Sequence, residues 1–181
     1  MPPVSRPLPL ANEAPQPVGA APPFVVEMVS AQLRVSETLL AFDLELAITN
    51  TQTHVAEGVR PAAALISAHP GQDLDIAAFH GDSAGIAQAQ AFDVPAGGTV
   101  RLPVQVNLPR ERLHVVTVHG RPIMVALLML DLRWRAGLSI RRFGEDFLVG
   151  GAGSGARPGP IWLDRAPPRA LAAIAYAPVT R

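Results

Sequence analysis

The chain has 181 residues, with 15 arginines and no lysine, 15 acidic residues and no cysteine, so its formal net charge at pH 7 is zero. The absence of cysteine excludes disulfides and thiolate metal sites, and the absence of lysine excludes a Schiff-base lysine and a P-loop phosphate site. A hydrophobic content of 49% is enough for one domain with extensions, and 19 prolines and 15 glycines favour many turns over long helices.

The zero net charge conceals an uneven distribution along the chain. Residues 25–95 carry nine acidic residues and two arginines, and residues 96–181 carry twelve arginines and five acidic residues. Acidic early strands could lie beside basic late strands and neutralise them, or the two halves could form charged faces for self-association or for a protein partner. Nucleic-acid binding is not expected, because the basic half lacks interleaved exposed aromatic residues.

The first part of the chain is rich in proline. Residues 1–23 contain eight prolines and have little apolar surface to bury, which predicts a disordered or polyproline-like arm. This segment has neither the apolar core of a signal peptide nor the pattern of an amphipathic helix. The longest strongly apolar run, residues 122–130, is too short for a membrane helix, so no membrane insertion by this chain itself is expected.

The most regular pattern in the sequence lies in residues 39–49. Apolar and polar residues alternate there, which predicts a half-buried strand that ends at the turn-forming residues 50–53. A first strand is predicted over residues 24–35, with a bulge near Ser30, where the apolar phase shifts. A third strand is predicted over residues 55–68, where Pro61 indicates an edge position or a bulge.

The middle of the chain mixes several elements. Within the loop over residues 69–90, residues 72–79 could form a short helix. Residues 89–94 and 99–108 are predicted to form a hairpin around the Pro-Ala-Gly-Gly turn at 95–98. Residues 109–120 are predicted to connect to the next strand through a short strand or a turn of helix.

The strongest late strand is predicted over residues 122–135. Both faces of its first half are apolar and should be covered, whereas its second half should have one solvent-exposed face. Its partner strand is predicted over residues 138–149, with Gly144 as a bulge. Residues 151–160 should form a Gly/Pro linker, and the apolar segment 161–181 should dock on the domain, with 161–163 as an added strand that could cover the late strand.

These elements together predict an all-β fold. Seven to eight strands within residues 24–150, separated by turn-type loops, are typical of an immunoglobulin-like antiparallel β-sandwich. We expect Leu40, Leu44, Leu128 and Leu130 to meet in one core.

The sequence offers no catalytic set, and the chain is not expected to be an enzyme. Gly153-Ser154-Gly155 lies in a linker without the strand-to-helix context of a nucleophile elbow. Imidazoles and carboxylates in the 69–90 loop could bind a divalent metal, although their spacing matches no specific pattern and a solvated acidic loop is the simpler interpretation. These weak candidates are His69, Asp73, Asp75, His80 and Asp82. No cofactor is expected.

Asn50-Thr51, Ala56, Val59 and Ala64-Leu65-Ile66 follow the alternating strand in a pattern that resembles bacterial CARDB-type immunoglobulin-like modules. Other stretches resemble an uncharacterised family of bacterial envelope proteins with a Pro-rich spacer before one sandwich domain. These stretches are residues 70–73, 76–79, 108–110, 120–122, 132–135 and 147–150.

The resemblance implies a location at the cell envelope or its periplasmic face, with the cytoplasm as the alternative. It also implies a non-catalytic protein-interaction or structural module. We expect such a module to bind a protein partner, or a second copy, through a sheet edge or its charged faces. The alternative function is a small-ligand or divalent-metal-binding domain that uses the 69–90 loop.

Overall fold

The computed structural model describes residues 21–82 and 86–177. The predicted arm therefore lies outside the described residues, except for its end, where the Pro22 and Pro23 carbonyls accept hydrogen bonds from Thr51. The described residues form twelve strands, one α-helix and one turn of 3₁₀ helix. In chain order these are β1 (Phe24–Val35), β2 (Leu39–Asn50), β3 (Ala56–Ser67), α1 (Gln72–Asp82), β4 (Ile86–Ala87), β5 (Phe92–Val94), β6 (Thr99–Pro109), the 3₁₀ turn (Arg110–Arg112), β7 (Val116–Val118), β8 (Arg121–Met124), β9 (Ala126–Ala136), β10 (Ser139–Gly151), β11 (Ile161–Trp162) and β12 (Leu171–Tyr176).

The strands form a sandwich of antiparallel sheets. The first sheet has the order β1-β2-β6, and the second has the order β12-β10-β9-β3-β4 with β5 also on β3. The long strands thus follow the A-B-E and C-F-G arrangement of an immunoglobulin-like sandwich, which confirms the predicted fold class. A small third sheet, β11-β8-β7, lies where β8 leads into β9.

One hydrophobic core lies between the two main sheets. The inward positions of β2, from Leu40 to Ile48, are at most 5% exposed, as the alternation predicted. Leu128 and Leu130 of β9 belong to the same cluster, so the predicted meeting of these leucines is confirmed. At one end of the core, the rings of Phe24 and Trp134 pack edge to face with centroids 4.9 Å apart.

Helix α1 covers half of the outer face of the second sheet. Ile76 and Phe79 of the helix pack with Leu127 and Met129 of β9, and this explains why the first half of β9 is apolar on both sides. The prediction that residues 161–163 provide this cover was wrong. Residues 161–162 form β11, which pairs with β8 instead.

Two local predictions also differ from the structure. The expected hairpin around residues 95–98 does not form, because β5 pairs with β3 and β6 pairs with β2, in different sheets. Gly144 is not a bulge, since β9 and β10 pair in continuous register through it. A Cβ at Gly144 would lie 2.6 Å from the His80 ring, so the glycine makes room for that side chain.

The end of the described chain lies against the second sheet. β12 pairs with β10 from Leu171↔Gly151 to Tyr176↔Asp146. Between β10 and β11, Gly151 and Gly159 form an isolated antiparallel bridge.

Candidate functional site

The residues that the sequence proposed for metal binding lie around α1 but do not converge. His69 Nε2 lies 2.8 Å from Asp75 Oδ2 near the start of the helix. The Tyr176 hydroxyl donates to Asp73 Oδ1, and His80 Nε2 lies 2.8 Å from Asp146 Oδ1.

The side chain of the fifth candidate, Asp82, lies outside the described residues. Within residues 21–82 and 86–177, no group of three histidine, cysteine, aspartate or glutamate residues is placed to hold a metal ion.

The free edges of the first sheet are poorly suited to accept another strand. On β6, Pro103 has no N–H to donate, and the Gln105 N–H donates to Gln88 Oε1 at 2.9 Å. On the other edge, β1 shifts register between Met28 and Ser30, and this strand also contacts β12. Both edges of the first sheet are therefore unfavourable for the addition of a partner strand.

A buried ionic group lies at the boundary of the surface that α1 covers. Asp131 of β9 is 1% exposed, and Arg142 of β10 contacts its Oδ2 through Nη2 at 2.5 Å and through Nε at 3.1 Å. Arg142 Nη1 also lies 3.5 Å from the Gly81 carbonyl, and His80 bonds to Asp146. This group ties the end of α1 to the second sheet.

Beyond this group, the outer face of the second sheet is open and forms a pocket of about 410 Å³. Arg60 of β3 lies opposite Arg133 of the neighbouring strand β9, and Arg135 of β9 lies opposite Ile140 of β10. These four side chains therefore share the face of the sheet on which α1 lies. We call this cavity the arginine pocket. Its lining consists of Gly58, Arg60, Ala91, Asp93, Arg133, Trp134, Arg135 and Ile140.

A bulge in β3 shapes one wall of the arginine pocket. The register of β3 against β9 shifts between Glu57 and Arg60, and Gly58 adopts a positive φ of 58° there. The Gly58 N–H donates to Asp93 Oδ1 at 2.7 Å, which holds β5 beside the bulge. The carboxylate of Asp93 is thus already engaged by the backbone.

The arginine pocket has a positive electrostatic character. Its lining contains three arginines and one carboxylate. Arg135 Nη2 lies 3.5 Å from Glu57 Oε2, and both side chains are more than half exposed. Arg133 Nε lies 3.9 Å from the buried Asp131. These contacts offset part of the charge, and the lining suits the binding of anionic groups.

The hairpin between β9 and β10 extends the pocket with exposed apolar side chains. Gly137 has a φ of 63°, which a two-residue turn with glycine at its first central position requires. Leu138 at the tip is fully exposed, and Ile140 is 73% exposed. The hairpin therefore presents aliphatic groups next to guanidinium groups, a combination that is favoured in protein interfaces.

Trp134 also belongs to the pocket lining, although it is 1% exposed and its ring packs against Phe24 in the core. Its indole Nε1–H is buried and has no hydrogen-bond partner among the described residues. Buried indole N–H groups usually have an acceptor, so this donor is unusual.

One carboxyl group with a perturbed pKa lies elsewhere on β10. Burial, with a smaller contribution from the neighbouring Asp146 charge, raises the pKa of Glu145. Glu145 pairs with Leu130 and is not part of the pocket lining. We therefore assign it no role in the candidate site.

Sequence reasoning found only part of this site. The predicted solvent-exposed face of the late strand contains Arg133 and Arg135, but no pattern in the sequence predicted that Arg60 and Asp93 lie beside them. The bulge signal at residues 55–68 was attributed to Pro61, which is buried, whereas the positive φ is at Gly58.

No helix among the described residues is long and apolar enough to cross a membrane. Comparison of the chain with models of protein families, with curated proteins and with solved structures finds no match.

Proposed function

We propose that this chain is a non-catalytic protein-interaction module that binds a protein partner through the open end of the second sheet. The binding surface would comprise the arginine pocket and the hairpin tip at Leu138. The observation that supports this proposal is the exposure of Leu138 and Ile140 beside three arginines. Large apolar side chains that form an exposed patch rimmed by polar groups commonly mark interaction sites.

The geometry of the rest of the sandwich supports the same surface. A partner strand on β6 would meet Pro103 and an N–H of Gln105 that already has an acceptor. The acidic outer positions of β2 are also engaged, since Arg34 bonds to Asp43 and Arg101 bonds to Glu45. A charged-face interaction through the first sheet would have to break these pairs, whereas the arginine pocket is accessible.

The pocket lining also supports a binding role over a chemical one. It provides guanidinium donors and a carboxylate engaged by a backbone N–H, and its eight residues include no hydroxyl, thiol or imidazole group. These are groups that hold an anionic partner rather than groups that form a nucleophile–base pair.

For the location of the protein, we propose the cell envelope. The support is the resemblance of its sandwich and Pro-rich segment to bacterial envelope proteins. Fractionation of cells that carry an epitope-tagged chain tests this, and recovery in the cytoplasmic fraction alone would contradict it.

Site-specific photo-crosslinking tests the proposed surface. A photoreactive amino acid at Leu138 should give a discrete cross-linked product in the native cells, because this side chain lies at the centre of the proposed contact. Leu74 of α1 is the matched control, since it is also a leucine and is 77% exposed. Equal products from both positions, or none from Leu138 in a folded chain, would refute the proposed surface.

A further inference from the structure

We propose that the arginine pocket recognises an acidic segment of the protein partner, bound in extended conformation with its carboxylates on the guanidinium groups. This inference rests on the proposed function and specifies the chemistry of the partner. Arg60 and Arg135 would hold two carboxylates of the segment.

The first argument is charge complementarity. Guanidinium groups form two parallel hydrogen bonds with a carboxylate, and such pairs are among the strongest polar contacts. The Arg135–Glu57 contact of 3.5 Å joins two largely exposed side chains, so a ligand carboxylate with shorter bonds can replace it. Arg60 is also exposed, and it is the cross-strand neighbour of Arg133 on the same face of the sheet.

The second argument is the size of the site. The lining crosses three neighbouring strands, from Arg60 on β3 through β9 to Ile140 on β10. With a spacing of about 4.8 Å between strands, this distance is about 10 Å, which corresponds to about three residues of extended chain. Alternating acidic and apolar residues would place the acidic side chains on one face, towards the arginines.

The observations favour an acidic protein segment over a nucleic acid. The three arginines line a single pocket, and the chain as a whole has no net charge. Nucleic-acid surfaces usually extend a basic patch along a backbone of many phosphates. Phosphate binding is therefore an outcome for the experiment to detect.

The test is a calorimetric titration of the unmodified chain. The probe is the blocked peptide Glu-Val-Glu-Val-Glu at low salt, and the matched control peptide is Gln-Val-Gln-Val-Gln. We expect saturable binding of the acidic peptide and at least tenfold weaker binding of the neutral one.

Arginine variants connect the binding to the pocket. The double variant R60Q/R135Q should weaken acidic-peptide binding at least tenfold, with an unchanged thermal midpoint, because both side chains are exposed. Arg141→Gln is the matched control. Arg141 lies next to Ile140 on the same hairpin but alternates to the opposite face, so this change should alter affinity less than twofold.

Three results would overturn the inference. These are no binding of the acidic peptide, equal binding to R60Q/R135Q, and tighter binding of inorganic phosphate or a short oligonucleotide with the same dependence on the arginines. If one of them occurs while Leu138 still cross-links to a partner, only the acidic chemistry is refuted. If Leu138 gives no cross-link but the peptide binds, the proposed partner surface is refuted instead.

Discussion

Replacement of Arg142 by methionine should destabilise the fold strongly, because it removes a guanidinium group from the buried carboxylate of Asp131. Asp131 is 1% exposed, and Arg142 contacts its Oδ2 at 2.5 and 3.1 Å. Removing one partner of a buried ion pair typically costs about 3–5 kcal/mol. Arg133 remains at 3.9 Å and retains part of the attraction, so we expect a loss near the lower end, about 3 kcal/mol. This is a large share of the roughly 5–15 kcal/mol that stabilises a typical domain.

Urea denaturation measures this loss as a change in the free energy of unfolding at constant m value. The matched control is Arg34→Met, which removes an ion pair of the same type with Asp43 whose side chains are 63% and 36% exposed. That change should cost less than about 1 kcal/mol. The double variant D131L/R142M should recover most of the loss, since an apolar pair of similar volume can replace a buried ion pair. A cost below about 1 kcal/mol for Arg142→Met alone would refute the reasoning.

Three further changes test local features of the fold. Gly144→Ala should lower the free energy of unfolding by about 1–3 kcal/mol, because the new methyl group would meet the His80 ring. In the His80→Ala background the same change should cost almost nothing, and equal costs in both backgrounds would contradict the steric explanation. Glu145→Gln should stabilise the protein at pH 7. Because the pKa of Glu145 is raised in the folded state, its contribution to stability is fully present below the ordinary carboxyl pKa and is lost as the pH rises through the raised pKa. The variant should also flatten the pH dependence of stability above about pH 4.3, and an unchanged profile would count against a buried Glu145 carboxylate. Asn50→Ala should cost about 2 kcal/mol or more by thermal or urea unfolding, because the buried Nδ2 donates to the carbonyls of three residues; a cost near zero would show that water replaces these bonds.

The sequence predicts the long strands well because their signal is local. The period-two alternation of β2 and β6 is set by burial of one face, and each strand can be recognised from its own residues. The same reasoning placed the bulge of β1 within a residue or two of its position between Met28 and Ser30.

Pairing partners were harder to predict because they depend on distant residues. The Pro-Ala-Gly-Gly turn is typical of a hairpin, yet β5 and β6 lie in different sheets. The buried Asn50 side chain holds the end of β5 by donating to the carbonyls of Val94 and Pro95. That tertiary contact, between residues 44 and 45 positions apart, competes with the local preference for a hairpin.

The candidate site was only partly visible in the sequence for the same reason. Arg133 and Arg135 lie on the face that the alternation predicted to be solvent-exposed. Arg60, however, reaches the same pocket through pairing of β3 with β9 across 73 positions. Conversely, His69 and His80 are close in sequence, but α1 separates them and each bonds to a different carboxylate.

The most direct test of the proposed binding surface is a two-dimensional ¹⁵N NMR titration of the unmodified chain with the acidic pentapeptide. We expect the largest amide shifts at the arginine pocket, in Gly58, Asp93, Arg135 and Ile140, with little change in β6. Shifts centred on α1, or no shifts at peptide concentrations well above the dissociation constant found by calorimetry, would contradict the account.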